Sequence, residues 1–369
     1  MTRGRRLTLG FIALNDAAPM ICADALGYFA DEGLEVELRR EVSWATIRDK
    51  VNVGALDGAH MLAPMALATS LGAGGVEATP LIAPLALNLD GPAVTLSSRL
   101  ARVAGADSGA EGLARLVARR RAEGASPITL AVVFPFSTHN YLLRDWLARA
   151  AIDPDNDVRL TVAPPARMTG LLVDGVVEGF CVTEPWGSAA VAAGAGVIAL
   201  RSAQLWPRTP DKVFAVTEAS ATAEPSRLQA LLRAMIRAAA WCDAVENRES
   251  LAEILSRPHY VGADPTVIAG SLADITYHRG DAGGPAPVHA GWLVAQMMRW
   301  GHVPADVDIP ALAARVYRPG LYAQAAGALG LSVGAPPEVL EGYGSSEGFR
   351  LATARAEAAQ APLSRVRPI

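Results

Sequence analysis

Over residues 7–62 the chain alternates between two kinds of segment. Residues 7–14 form a short, nearly continuous apolar run, the mark of a buried strand. A loop and a helix-period stretch follow at 17–32, a second apolar run at 34–38, and another helix-period stretch at 44–53. The pair Asp57-Gly58 then turns the chain into a third apolar run at 59–62. The same succession returns later: 128–134, 139–151, 158–162, 166–173, the pair Glu178-Gly179, and 180–182. Each copy predicts βαβαβ, the unit of a parallel sheet with helices on its faces.

The two copies share one offset. Leu7-Thr8-Leu9 falls on Ile128-Thr129-Leu130, a shift of 121 residues. The same shift lays Asp24 on Asp145, Gly54 on Gly175, Asp57-Gly58 on Glu178-Gly179 and Pro64 on Pro185. A slip of one residue is needed where Val36-Glu37-Leu38 meets Val158-Arg159-Leu160. A unit present twice predicts two α/β lobes, residues 1–97 and 98–216. The pattern then turns helical, at 225–247, 265–275, 291–300 and 310–316, so 217–333 reads as a helical segment returning to the first lobe. Residues 334–369, rich in Gly, Ser and Pro and then in Ala and Arg, read as a tail of uncertain order.

Composition narrows the classes of function. The net charge of −4 gives no basic face for direct contact with nucleic acid. The apolar runs at 81–89 and 189–200 are too short to span a membrane. Cys22, Cys181 and Cys242 have no metal-ligand spacing and read as buried thiols in a reducing compartment. Arg3, Arg5 and Arg6 ahead of an apolar run resemble an export leader. The repeat instead makes 7–14 the counterpart of an internal strand, so a cytoplasmic chain is expected.

Ligands of open α/β sheets bind beyond the carboxyl ends of the strands, where helices begin and free N–H groups attract anions. Four loops read as such helix starts: Asn15-Asp16-Ala17-Ala18-Pro19, Ser43-Trp44, Ser137-Thr138-His139 and Thr183-Glu184-Pro185-Trp186. Three side chains there suit a small oxyanion. His139 can donate a hydrogen bond, Lys212 brings a full charge, and Trp44, exposed at a first turn, offers a flat wall. By themselves they equally fit a capping histidine, a solvated lysine and a packing tryptophan. No phosphate loop, nucleophile elbow or metal-spaced cluster occurs, so no catalytic residue, metal or cofactor is expected.

At these motifs the chain resembles the nitrate- and bicarbonate-binding proteins of bacterial ABC transporters, the NrtA/CmpA group. The matching strings are Asn15-Asp16-Ala17-Ala18-Pro19, Ser43-Trp44-Ala45-Thr46-Ile47-Arg48-Asp49-Lys50, Asp57-Gly58-Ala59-His60-Met61-Leu62, Ser137-Thr138-His139-Asn140-Tyr141, Cys181-Val182-Thr183-Glu184-Pro185-Trp186 and Pro210-Asp211-Lys212-Val213. The resemblance implies the type II periplasmic-binding-protein fold, two α/β lobes around a ligand cleft, with a helical C-terminal part. It implies an anion held by Trp44, His139 and Lys212. The lysine resembles the nitrate-type site, whereas the bicarbonate type carries an acidic residue there. Two ligand-site positions depart from that pattern: Pro92 stands where nitrate binders have glutamine, and Thr183 where they have glycine. A cytoplasmic member would be similar to the NasS-type nitrate/nitrite sensors, which hold an RNA-binding antiterminator of the ANTAR class (NasT-like) and release it when the anion binds. The alternatives are the solute-binding part of a nitrate- or bicarbonate-type ABC transporter, and an enzyme like the thiamine-precursor synthases of the same fold.

Overall fold

The computed structural model describes residues 6–105 and 109–366. Arg3, Arg5 and the last three residues of the expected tail lie outside the described residues. The strands are β1 (Leu7–Phe11), β2 (Val36–Arg40), β3 (Gly58–Leu62), β4 (Leu81–Asp90), β5 (Pro92–Ser97), β6 (Ile128–Val132), β7 (Val158–Val162), β8 (Gly179–Thr183), β9 (Gly196–Arg201), β10 (Pro210–Thr217) and β11 (Ile275–Thr276). A first sheet has the order β2-β1-β3-β10-β4-β11, and a second has β7-β6-β8-β5-β9.

The two sheets reproduce the sequence repeat down to register. β1 pairs with β2 in parallel, Leu7 opposite Val36, and β6 pairs with β7, Ile128 opposite Val158. That second pair carries the one-residue slip. β1 meets β3 with Leu9 opposite Gly58, and β6 meets β8 with Leu130 opposite Gly179, on the unslipped offset. Gly54 and Gly175, at matching places, have φ of 71° and 69°, the left-handed region that a side chain resists. The turn into the third strand needs glycine in both lobes.

The fourth strand of each sheet comes from the other side of the molecule. β5 runs antiparallel between β8 and β9, and β10 runs antiparallel between β3 and β4. The chain therefore crosses between lobes at Asp90-Gly91 and again through 202–209. The crossings are bonded to each other: the Asp90 N–H donates to the Thr209 carbonyl, and the Thr209 N–H to Asp90 Oδ1, both at 2.8 Å. This differs from the boundaries expected at 97 and 216, because 92–97 lies in the second sheet and 210–217 in the first. The repeat marks only the three parallel strands of each unit; the antiparallel fourth carries no signal of which sheet it joins.

The helix Pro225–Asp243 returns to the first lobe. Its apolar stripe of Leu228, Leu231, Leu232 and Met235 packs with Leu7, Leu9 and Phe11 and the helix Ala18–Ala25. The helix Pro287–Arg299 is buried on almost all sides, between helix Ala63–Leu71 of the first lobe and helix Thr138–Arg149 of the second. Among the described residues no helix is long and apolar enough to cross a membrane.

The segment read as a tail of uncertain order is packed in its described part. Val339–Leu340 and Phe349–Arg350 pair as short antiparallel strands, and Ala354–Gln360 is a helix. Phe349 and Tyr343 are buried, with ring centroids 5.1 and 5.0 Å from Trp292, which also meets Trp206 at 5.3 Å. Arg365 closes the segment on Asp153, at 2.7 Å. Two aromatic anchors in a polar, glycine-rich stretch hold it, and an averaged composition hides them.

Phe349→Ala is expected to lower unfolding free energy by about 3–5 kcal/mol, the usual range for removing a buried aromatic ring. Denaturant unfolding measures this, and an unchanged midpoint would show that the segment contributes nothing to the core.

Candidate functional site

The carboxyl ends of β1, β3, β8 and the start of β10 converge on one buried cluster. β10 supplies Asp211 and Lys212, neighbours in sequence that an ideal strand would turn to opposite faces. Register shifts on both sides of Lys212 relieve that alternation, and the two side chains meet. Lys212 Nζ donates to Asp211 Oδ2 at 2.6 Å, to Asp16 Oδ2 at 2.7 Å and to Thr183 Oγ1 at 3.2 Å. All four side chains are fully or almost fully buried.

The first lobe holds Asp16 in place and adds two more pieces. Asp16 lies in the tight turn Asn15–Ala17 directly after β1, held by Asn15 Nδ2 donating to Ser271 Oγ and by the Tyr277 hydroxyl donating to the Asn15 carbonyl. His60 on β3 places Nε2 2.9 Å from Asp16 Oδ1. Trp44 opens the helix Trp44–Asn52, whose first turn is capped by the Ser43 hydroxyl accepting from the Thr46 N–H. Its indole stands edge-on to His60 at 5.1 Å, with Lys212 Nζ 5.5 Å from the ring centroid. Trp44 is buried, not exposed at the helix start as expected, because His60 and Lys212 cover it.

The second lobe answers with His139 and Thr183. His139 sits in the first turn of the helix Thr138–Arg149, which Ser137 caps through the Asn140 N–H. The Thr183 hydroxyl donates to Asp211 Oδ2 at 2.6 Å, so its 2.7 Å contact with His139 is one in which the ring donates from Nε2. That tautomer leaves Nδ1 as a lone pair, buried and without a partner. Trp44 Nε1 is a buried donor without an acceptor. Asp211 Oδ1 is a third buried orphan in the cluster, and orphans of this kind cost about 1–3 kcal/mol each. Pro92 starts β5 directly opposite Thr183, and its ring nitrogen has no hydrogen to give.

Charge in the cluster is set by burial and by its own pairs. Burial alone would raise the Asp16 pKa; Lys212 and His60 outweigh it and hold the carboxyl well below the usual range. Burial pushes the His139 pKa down to about 4, against the pull of Asp211, so the ring is neutral at pH 7.

The lobes close over the cluster. The Asn15 N–H donates to the Glu184 carbonyl at 3.0 Å, Trp186 Nε1 donates to the Ala13 carbonyl at 2.9 Å, and Arg201 pairs with Asp274. The structure thus gathers Trp44, His139, Thr183 and Lys212, and sets Pro92 beside Thr183. It adds Asp16, His60 and Asp211, which were read from the sequence only as parts of motifs. A histidine inside the apolar run of β3 and an Asp-Lys pair entering a strand are the local signs that charge is buried there. Among the described residues no group of side chains could hold a metal ion.

The profile of the NMT1-like family matches residues 3–256, more than half of the chain. The chain belongs to the NMT1-like family. It is 32% identical to the nitrate/nitrite binding protein NrtA of Synechocystis, across 87% of this chain and 76% of that one. The crystal structure of the periplasmic nitrate-binding protein NrtA from Synechocystis superposes with a TM-score of 0.88 at 29% identity, covering 96% and 98% of the two chains. The fold is that of the periplasmic-binding proteins, and within the family the chain is of the NrtA/CmpA type. It is also 34% identical to the nitrate import ATP-binding protein NrtC of Synechocystis, spanning 88% of its own length but half of that protein. The relatives that match over most of their own length are nitrate-binding proteins, not the thiamine-precursor enzymes expected as an alternative.

His139 has a measurable signature. An unfolded chain protonates histidine near pH 6.5, whereas the folded ring resists down to about pH 4. The unfolded state binds the extra proton between these limits, so this contribution to stability is full above pH 6.5 and is lost as pH falls toward 4. Replacing His139 with Gln should shrink the stability difference between pH 7 and pH 5 by roughly 1–2 kcal/mol. Denaturant titrations at the two pH values measure this, and a profile identical to the parent would mean that the ring titrates normally.

Proposed function

We propose that the closed cleft holds a small planar oxyanion, nitrate or nitrite, between Lys212 of the first lobe and the His139–Thr183 pair of the second. The observation that carries this reading is the buried Trp44 N–H, a donor without an acceptor, in the same cluster as a fully buried ammonium. Lys212 has three N–H bonds, and Asp16, Asp211 and Thr183 take all of them. An incoming anion replaces one. The Thr183 contact, at 3.2 Å, is the longest of the three and the one that crosses between lobes. An anion in its place accepts from Lys212 and from the Trp44 N–H and joins the lobes through itself. That relatives of matching architecture are nitrate-binding proteins supports the choice of ion.

In this reading the chain works as a cytoplasmic sensor. The anion favours the closed arrangement, and closure removes or reshapes a surface that holds an RNA-binding antiterminator of the ANTAR class. Population shift requires only that the anion bind the closed form better than the open one, and a ligand with groups from both lobes does so. The chain itself need not touch RNA, in keeping with its net charge of −4. A second reading, the solute-binding part of a nitrate- or bicarbonate-type importer, is favoured by the names of the relatives. Both readings use the same closure.

Calorimetric titration with nitrate, nitrite, bicarbonate and chloride tests the site. Nitrate or nitrite should bind, Lys212→Ala should weaken the binding at least about tenfold, and Trp44→Phe by about two- to tenfold, the value of one hydrogen bond. No heat with either ion would overturn the proposal. For the sensor, an ANTAR-class antiterminator should co-purify without anion and dissociate on its addition; a complex indifferent to the anion favours the importer reading.

A further inference from the structure

A second cavity lies away from the cleft, under the C-terminal segment. Its volume is about 680 Å³. Leu89 near the end of β4, Arg208 ahead of β10, His289, Tyr322, Tyr343 and Pro336 are among the residues that line it. The lining thus takes in part of the second strand crossing, Pro207 and Arg208, and the residue just before the first. The size is far more than nitrate needs and falls in the range of about 300–1,000 Å³ typical of pockets for organic ligands.

His289 is the feature that folding alone does not explain. It sits in the first turn of the helix Pro287–Arg299, is 93% buried at a relative exposure of 7%, and lines the cavity. Its ring makes no hydrogen bond among the described residues. Burial, with Arg208 adding to it, pushes its pKa down to about 4, so at neutral pH the ring offers one N–H donor and one lone pair. Arg208 is exposed at the mouth. One Nη donates to the Gly280 carbonyl at 2.6 Å, which fixes the guanidinium and leaves most of its five donors free. Asp281 and Glu341 share the rim, so a second negative charge on a ligand would be opposed.

We propose that this cavity is a second ligand site, taking an organic monoanion, a carboxylate or sulfonate on an apolar body. The charged end would lie against Arg208 with the His289 N–H beside it, and the body against Tyr322, Tyr343 and the proline-rich cover. An uncharged body of the same shape fills the walls but leaves the two donors unmatched.

The test uses two fluorescent probes of the same ring system, anilinonaphthalene sulfonate and neutral phenylnaphthylamine, on the full chain. The sulfonate should bind at one site, at least about tenfold tighter than the neutral probe, the margin of one charge-assisted hydrogen bond. Arg208→Gln, at an exposed position that leaves the core intact, should cut that preference to about threefold or less. Ala323→Trp, which fills the cavity, should abolish binding of both probes while circular dichroism shows the fold retained. Excess nitrate should leave the sulfonate bound. Equal affinity for the two probes, a preference unchanged in Arg208→Gln, or displacement by nitrate would each overturn the proposal.

Discussion

One ammonium group is buried between two carboxylates, and the molecule is arranged to make that tolerable. Taking Lys212, Asp16 and Asp211 out of water is costly, and their attraction compensates only with close geometry and with the remaining donors and acceptors matched. The three contacts to Lys212 supply the close geometry, while Asp211 Oδ1 is left buried without a donor. The geometry needs a turn just after β1 for Asp16, an irregular start to β10 so that Asp211 and Lys212 share a side, and the second lobe near enough for Thr183 to reach in. Loss of Asp16 or Asp211 takes a counter-charge from the ammonium, and loss of Lys212 leaves two carboxylates buried together, a penalty of about 3–5 kcal/mol in comparable cases.

The lobes are held from behind as well as across the cleft. The helix Pro287–Arg299 touches both, and its buried Arg299 reaches Asp145 of the second lobe at 2.6 Å. Asp145 also accepts from Trp206 Nε1, which lies in the second crossing. The aromatic group of Trp206, Trp292, Tyr343 and Phe349 therefore lies beside the second crossing. The C-terminal segment, far in sequence from the ligand residues, packs against the link between the lobes.

Much of this was legible in the amino-acid order. The offset that lays Leu9 on Leu130 returns as the same strand register in both sheets, and the slip at Val158 returns as a shifted pairing. Ser43 and Ser137 cap the helices they precede, and the side chains they introduce, Trp44 and His139, enter the cluster. What was not legible has a common cause. Periodicity reports which face of an element is apolar, not which neighbour it meets. The antiparallel fourth strands, the burial of Trp44, the roles of Asp16 and Asp211, and the docking of Phe349 each depend on at least one partner more than twenty residues away. His60 is a histidine in an apolar strand, a sign the sequence carries, but nothing local names Asp16 as its partner.

The two strand crossings make the lobes unequal in one respect that their likeness conceals. All five strands of the second sheet lie in one uninterrupted stretch, 92–201, whereas the first sheet is split around it. A ribosome delivers the N-terminal end first. By the time β9 has emerged, the second sheet has every strand it needs. The first still lacks β10, which belongs between β3 and β4, and so presents two open strand edges of the kind that pair with other chains. The lobe that holds β1 is the later of the two to be completed, and those edges stay unpaired until residue 217 has been made.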